Sequence, residues 1–247
     1  MKRYLIIISS CLHLLVAGVT AGASAAIHAS PVQGKPETDR QQISRQQEKS
    51  REQGADFWRR ANAEYELGRT SKNPQERSNH FHRAEDFARQ SIKADPRGDE
   101  GYKWMAIALG AQAEDESVST QIRLSRQVKE NIDKALALDP DDDISLLVLS
   151  RWHYKVASLS LWTRALVRVV YGGLPSASME KAAELQLRAI AIKDRIAHRY
   201  SLAKIYYQMG RREDALRQLR LALALPVTFP EEAEDLDKAR RKLVRWK

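Results

Sequence analysis

One helix ending, used repeatedly, constrains this chain more than any other feature. The segment Ile132-Asp133-Lys134-Ala135-Leu136-Ala137-Leu138-Asp139-Pro140 has an upstream counterpart in Ala88-Arg89-Gln90-Ser91-Ile92-Lys93-Ala94-Asp95-Pro96. It returns as Leu219-Arg220-Leu221-Ala222-Leu223-Ala224-Leu225-Pro226, and in weaker form as Ala189-Ile190-Ala191-Ile192-Lys193-Asp194. Apolar residues three and four apart mark one buried face of an α-helix. Proline has no N–H to donate and disfavours the helical region for the residue before it, so each Asp-Pro copy stops at a defined place. A helix that is apolar on one face buries that face only against another element. A chain that repeats such helices at near-regular intervals therefore stacks helix on helix.

The downstream copy carries the clearest register. With Ile196 as position 1, Leu202 and Ala203 fall at 7 and 8, Tyr206 at 11 and Gly210 at 15. Ala215, Leu219 and Ala222 then fall at 20, 24 and 27. Small residues let the two helices of a pair approach, and large ones fill the gap between pairs. This is the pattern of a tetratricopeptide (TPR) repeat, whose period is about 34 residues. Two intervals exceed that period. The excess between Pro96 and Pro140 falls at Ala113–Thr120, and the excess between Pro140 and Arg195 falls at Ser158–Ser176. The first repeat, Phe57 to Pro96, is degenerate and its register is open by about one residue. The stretch Glu231–Trp246 begins acidic and ends basic, which complements the helix dipole and suits a terminal cap. No strand alternation appears. The expected fold is all-α: a TPR-like α-α superhelix (solenoid) over residues 54–247, with insertions in two repeats and a C-terminal capping helix.

The segment ahead of this domain has a different character. Met1-Lys2-Arg3 is followed by a nearly unbroken apolar run from Tyr4 to Val19, then by small residues up to Ala25. This is the layout of a signal peptide, residues 1–25, and it predicts an exported, periplasmic protein. The alternative is an inner-membrane anchor formed by the uncleaved segment. Residues 26–53 are polar, with Pro31, Gly34 and Pro36, and read as a flexible linker that turns helical after Asp39. Cys11 is the only cysteine, so a cleaved chain would carry no disulfide, thiol nucleophile or thiolate metal ligand. Lys+Arg 41 against Asp+Glu 32 gives a net charge of +9. That excess fits acidic partners and falls short of a nucleic-acid signature.

Three segments, in chain order, narrow the family. They are Glu100-Gly101-Tyr102-Lys103-Trp104-Met105-Ala106-Ile107, Asn131 to Pro140, and Ser150-Arg151-Trp152-His153-Tyr154-Lys155-Val156-Ala157. Together with the insertion from Ser158-Leu159-Ser160-Leu161-Trp162 to Leu174-Pro175, they resemble the regulator of microtubule dynamics family. The likeness runs from about Phe57 to Arg241 and includes both insertions and the Arg-Trp-x-Tyr core. It implies an all-helical TPR-like fold. Eukaryotic members are associated with microtubules, spindle poles and organelle membranes. The N-terminal signal makes this chain look like a bacterial exported member.

Helical register also assigns a groove. The inner face of a TPR pair collects Lys103 and Trp104 from the second repeat, and Arg151, Tyr154 and Lys155 from the third. The fourth adds Tyr200, Lys204, Tyr207 and Gln208. Cations pair with carboxylate or phosphate, and aromatics add apolar area with a polar tip. The expectation is a non-enzymatic protein–protein scaffold that binds an acidic segment of a partner. The alternatives are phospholipid binding and a microtubule-associated role carried over from the family. Trp162, Leu166, Val169 and Val170 share one face of the insertion and would serve as a lid or as a membrane face. His153 is expected in the core with a hydrogen-bond partner. His80 and His82 lie on different helix faces and do not share a metal. Glycine-rich phosphate loops and nucleophile elbows are lacking, so no cofactor, metal or nucleic acid is expected.

Overall fold

The computed structural model describes residues 36–228 and 230–246. The expected signal peptide, Cys11 and the first part of the linker lie outside these residues. Among the described residues ten α-helices follow one another. They are α1 (Pro36–Thr70), α2 (Pro74–Ala94), α3 (Asp99–Gln112), α4 (Val118–Leu138) and α5 (Asp143–Ala157). Then come α6 (Leu161–Tyr171), α7 (Met179–Ile192), α8 (Ile196–Gln208), α9 (Arg212–Ala224) and α10 (Pro230–Trp246). Residues from Gln42 onward form one compact unit. Helix α1 already begins at Pro36, within the stretch expected as a linker. From Asp39 through Gln53 its side chains stay exposed or half-buried, and burial starts at Gly54.

The repeated helix ending has a local cause. In both Asp-Pro copies the aspartate N–H still reaches back into the helix, Asp95 to Ser91 O and Asp139 to Ala135 O, each at 2.8 Å. Each carboxylate then turns forward. Asp95 Oδ1 accepts from Arg97 N at 3.2 Å, and Asp139 Oδ1 accepts from Asp141 N at 3.0 Å. The side chain thus bonds the backbone two residues on, across a proline that has no N–H of its own. Helix α3 starts at Gly98 without a side-chain cap, whereas α5, α6 and α7 start on one. Asp142 accepts from Ser145 N at 2.8 Å, Ser160 from Thr163 N at 3.1 Å and Ser178 from Lys181 N at 3.1 Å.

Packing follows chain order with one exception. Helix α2 packs on α3, α3 on α4 and α4 on α5, and the C-terminal helices continue from α7 through α8 and α9 to α10. Helix α5 pairs with α7 and skips α6, which contacts α4 alone among the described elements. The Ser158–Ser176 excess is therefore a helix added outside the repeat. The fold is a TPR-like helical solenoid, and the register counted from Ile196 holds. Leu202, Ala203, Ala215, Leu219 and Ala222 are fully buried, and Gly210 turns the chain at φ 77°. At Gly101 a side chain would stand 2.9 Å from Ile92 and 3.0 Å from Ser91 Oγ, so only glycine lets α3 close on α2. Two core clusters result. One is centred on Leu109, Ile132, Leu146 and Trp152, the other on Ile196, Leu202, Ile205 and Leu219.

Ion pairs knit successive inner helices together. Lys103 of α3 lies 2.7 Å from Glu100 and 3.3 Å from Asp142, at the start of α5. Asp143 Oδ2, one residue on, lies 2.5 Å from Arg195 Nε and 2.9 Å from His198 Nε2. Burial opposes ionisation of Asp143, yet the hydrogen bonds from His198 and Arg195 win and bring its carboxyl down to about 2. His153 is buried as expected, edge-on to Trp152 at 5.1 Å, but its Nδ1 has no hydrogen-bond partner among the described residues. Burial, then Lys129 and Lys181, push its pKa down, which keeps the ring neutral.

Candidate functional site: a cationic and aromatic inner groove

Helices α5 and α8 bring the expected groove residues together. Ser150, Arg151, Tyr154, Ser201, Lys204 and Ile205 line one cleft. Trp152 sets this geometry from behind: its Nε1 donates to Ser125 O at 2.9 Å, which fixes the rotation of α5 against α4. With Trp152 buried against α4, Arg151, Tyr154 and Lys155 face the groove side. Across the cleft, Lys204 Nζ sits 5.1 Å from the Tyr154 ring and 5.6 Å from the Tyr200 ring. Two ring faces cradle one ammonium, a favourable cation–π arrangement. Arg151 Nε reaches Ser201 Oγ at 3.4 Å. Among the described residues no carboxylate lies within ion-pair distance of Arg151 or Lys204.

The electrostatics show what that leaves unsatisfied. Burial, followed by the positive charges of Arg151, Lys242 and Lys155, brings Lys204 down to about 8, with Asp235 opposing. Burial raises the Tyr200 hydroxyl, against Lys238, Arg151 and Arg241. Burial likewise raises that of Tyr65, with Arg151 the leading opposing charge. Arg151 is thus within electrostatic reach of α1 and α8, at the centre of a positive field that Asp235 offsets only in part. An anion entering the cleft would relieve the repulsion and restore full protonation of Lys204.

Other expected groove residues have different roles. Lys103 departs from the set: it is only 6% exposed and tied to Glu100 and Asp142, so it braces α3 against α5. Tyr207 stacks on Trp246 of the capping helix at 3.9 Å and serves to seat the cap. Lys155 is exposed and pairs with Glu114 at 3.0 Å. Trp104 turns toward α1, 5.9 Å from Tyr65. Gln208 is exposed. Trp162, Leu166, Val169 and Val170 do share a face, but α6 packs on the outer helix α4, so they do not cover the groove. Sequence reasoning missed Tyr65 and Lys242. Tyr65 lies in the degenerate first repeat, where the register was open. Lys242 belongs to the basic half of the cap, which the helix dipole already accounted for.

The family model of regulator of microtubule dynamics protein 1-3 matches residues 30–247. The chain belongs to that family. It is similar to regulator of microtubule dynamics protein 3 of Xenopus laevis, 28% identical, over 72% of this chain and 39% of the relative. It is also similar to regulator of microtubule dynamics protein 2 of Homo sapiens, 26% identical, over 76% of this chain and 46% of the relative. The chain spans less than half the length of these curated relatives. Among solved structures, a thermophilic TPR protein of Thermus thermophilus is similar with a TM-score of 0.48 and 19% identity, covering 81% of this chain and 98% of that one. The match to the family spans both insertions, so α6 lies inside the shared region.

Proposed function

We propose that this protein is a non-enzymatic scaffold whose inner groove grips an acidic segment of a partner protein. The TPR-like fold is that of an interaction module. The observation that supports the acidic preference is Lys204, a largely enclosed ammonium that shares its cleft with Arg151 and with no carboxylate. A cleft that pushes its own lysine down to about 8 holds positive charge at a cost, and bound carboxylates offset that cost. Tyr154 and Tyr200 add flat apolar surface for the side chains between the acids.

The test is a titration of the full chain with a labelled glutamate-rich peptide. Arg151→Ala and Lys204→Met each weaken binding by about tenfold, and added salt weakens it further. Unchanged affinity in both variants removes the groove from the proposal. The relatives are named as regulators of microtubule dynamics, so microtubules are the first natural partner to try. Co-pelleting that depends on Arg151 supports that role for this chain, and no pelleting at low salt rejects it.

A further inference from the structure

Helix α6 leaves its apolar face bare. Trp162 is 86% exposed and Val169 84%, and Leu161, Leu166 and Val170 are exposed beside them. With Ala165 these positions cover a continuous half of the helix circumference, and the single buried residue, Val167, points the other way into the fold. Such a contiguous apolar surface is unusual on a soluble face and marks a contact. The helix is nevertheless firmly held. Ser160 caps its start, and Arg164 reaches back to Ala157 O and to Leu159 O at 3.1 Å. Arg126 of α4 clamps its end, donating to Tyr171 O and to Gly173 O. Gly172 ends the helix at φ 72°.

Charge decides what covers this face. From Ile144 to Met179 the chain contains no Asp or Glu at all, yet it carries Arg151, Lys155, Arg164 and Arg168. Apart from this stretch and the acid-free Met1–Pro36, acids occur throughout, 32 in 247 residues. Arg168 flanks the apolar half and has no carboxylate within ion-pair distance among the described residues. On the adjoining α4, Arg123 and Arg126 are both exposed, Arg126 beside the end of α6. A second copy of this chain would bring the same cations against them, an unfavourable pairing. At 11 residues α6 is too short to cross a bilayer, which needs about 20, but suits lying flat in the headgroup region.

We infer that α6 is an interfacial helix that seats this protein on an anionic phospholipid surface, with Trp162, Leu166 and Val169 entering the acyl boundary and Arg168 contacting headgroups. This does not rest on the groove reading, because α6 lies on the outer side of the array.

The test uses the full chain and vesicles of phosphatidylcholine and phosphatidylserine, about 3:1, with brominated acyl chains. The apolar run Tyr4–Val19 gives the chain a second route to a vesicle, so the readout must be local. Of the five tryptophans only Trp162 is exposed, and bromine quenches a tryptophan only on contact. We expect quenching that disappears in Trp162→Phe, weakens about tenfold in Val169→Asp and about fivefold in Arg168→Gln. All three positions are exposed, so helix content should not change. Absence of Trp162 quenching overturns the inference, as does quenching that Val169→Asp leaves intact. A vesicle-free dimer that Val169→Asp disperses also overturns it and assigns the face to a second copy.

Discussion

Arg69 Nη1 lies 2.8 Å from Glu234 Oε2, joining the end of α1 to the first turns of α10 across 165 positions of sequence. The first and last helices of the array therefore touch, on the side where Tyr65 and Lys242 flank the groove. Glu234 is held low chiefly by its hydrogen bond to Lys238, with Arg69 contributing less. Because Glu234 is about half exposed, the pair is worth little by itself. Arg69→Ala is expected to cost under about 1 kcal/mol in chemical denaturation, and less at high salt.

The Asp143 cluster behaves differently, because it is enclosed. Its folded pKa, about 2, lies below its ordinary value of 3.8. A depressed carboxyl contributes stability that is complete above its unfolded pKa and is lost as pH falls toward the folded value. The contribution is about 2 kcal/mol. Unfolding followed from pH 5 to pH 2 should show that loss, and Asp143→Asn should flatten it. The same substitution removes the negative charge that Arg195 and the fully buried His198 face, so at neutral pH it should destabilise by about 3 kcal/mol.

Lys204 titrates in the opposite sense. Its folded pKa is below the unfolded one, so the fold binds fewer protons than the unfolded chain between pH 8 and 10.5, and stability should rise across that interval. Affinity for an anionic partner should fall as pH passes about 8, because the ammonium is then lost. Lys204→Met removes the unpaired charge and should raise stability by about 1 kcal/mol while weakening binding. A variant that loses both stability and binding would contradict this balance.

Two glycines separate backbone strain from close packing. Gly210 has φ 77° and open space around the missing side chain. Gly210→Ala should therefore cost about 1 kcal/mol through conformation alone. Gly101 has ordinary helical geometry, but an added methyl would meet the Ile92 side chain and backbone and the Ser91 hydroxyl. Gly101→Ala should cost more, about 2 kcal/mol, and should loosen α2 against α3. Comparing the two by thermal unfolding checks both assignments.

The inner face shows where sequence reasoning reached and where it stopped. Arg151, Tyr154 and Lys204 were legible because inner-helix positions follow from a 3.6-residue period once the repeat is anchored. Lys103 shares that period and was still misplaced. Its partner Asp142 comes from the next helix, and only the stacking angle of α3 on α5 brings the two within 3.3 Å. Tyr207 was misread for a similar reason, since the seat of Trp246 depends on how the cap folds back.

By itself the sequence determined the order of the repeated helices and the ends that Asp-Pro marks, though not the start of α1 at Pro36. Apolar spacing, Asp-Pro stops and small residues at fixed offsets act over a few residues, and local chemistry of that kind is written in the chain. Only the tertiary structure decided which charges meet. An ion pair such as Arg69–Glu234 depends on the summed rotations of every intervening helix pair, and so does the lack of a carboxylate within ion-pair distance of Lys204 among the described residues. The outward turn of α6 was decided the same way: its apolar face reads identically whether buried or bare, and only its packing on α4, with Val167 buried, leaves Trp162 in the open.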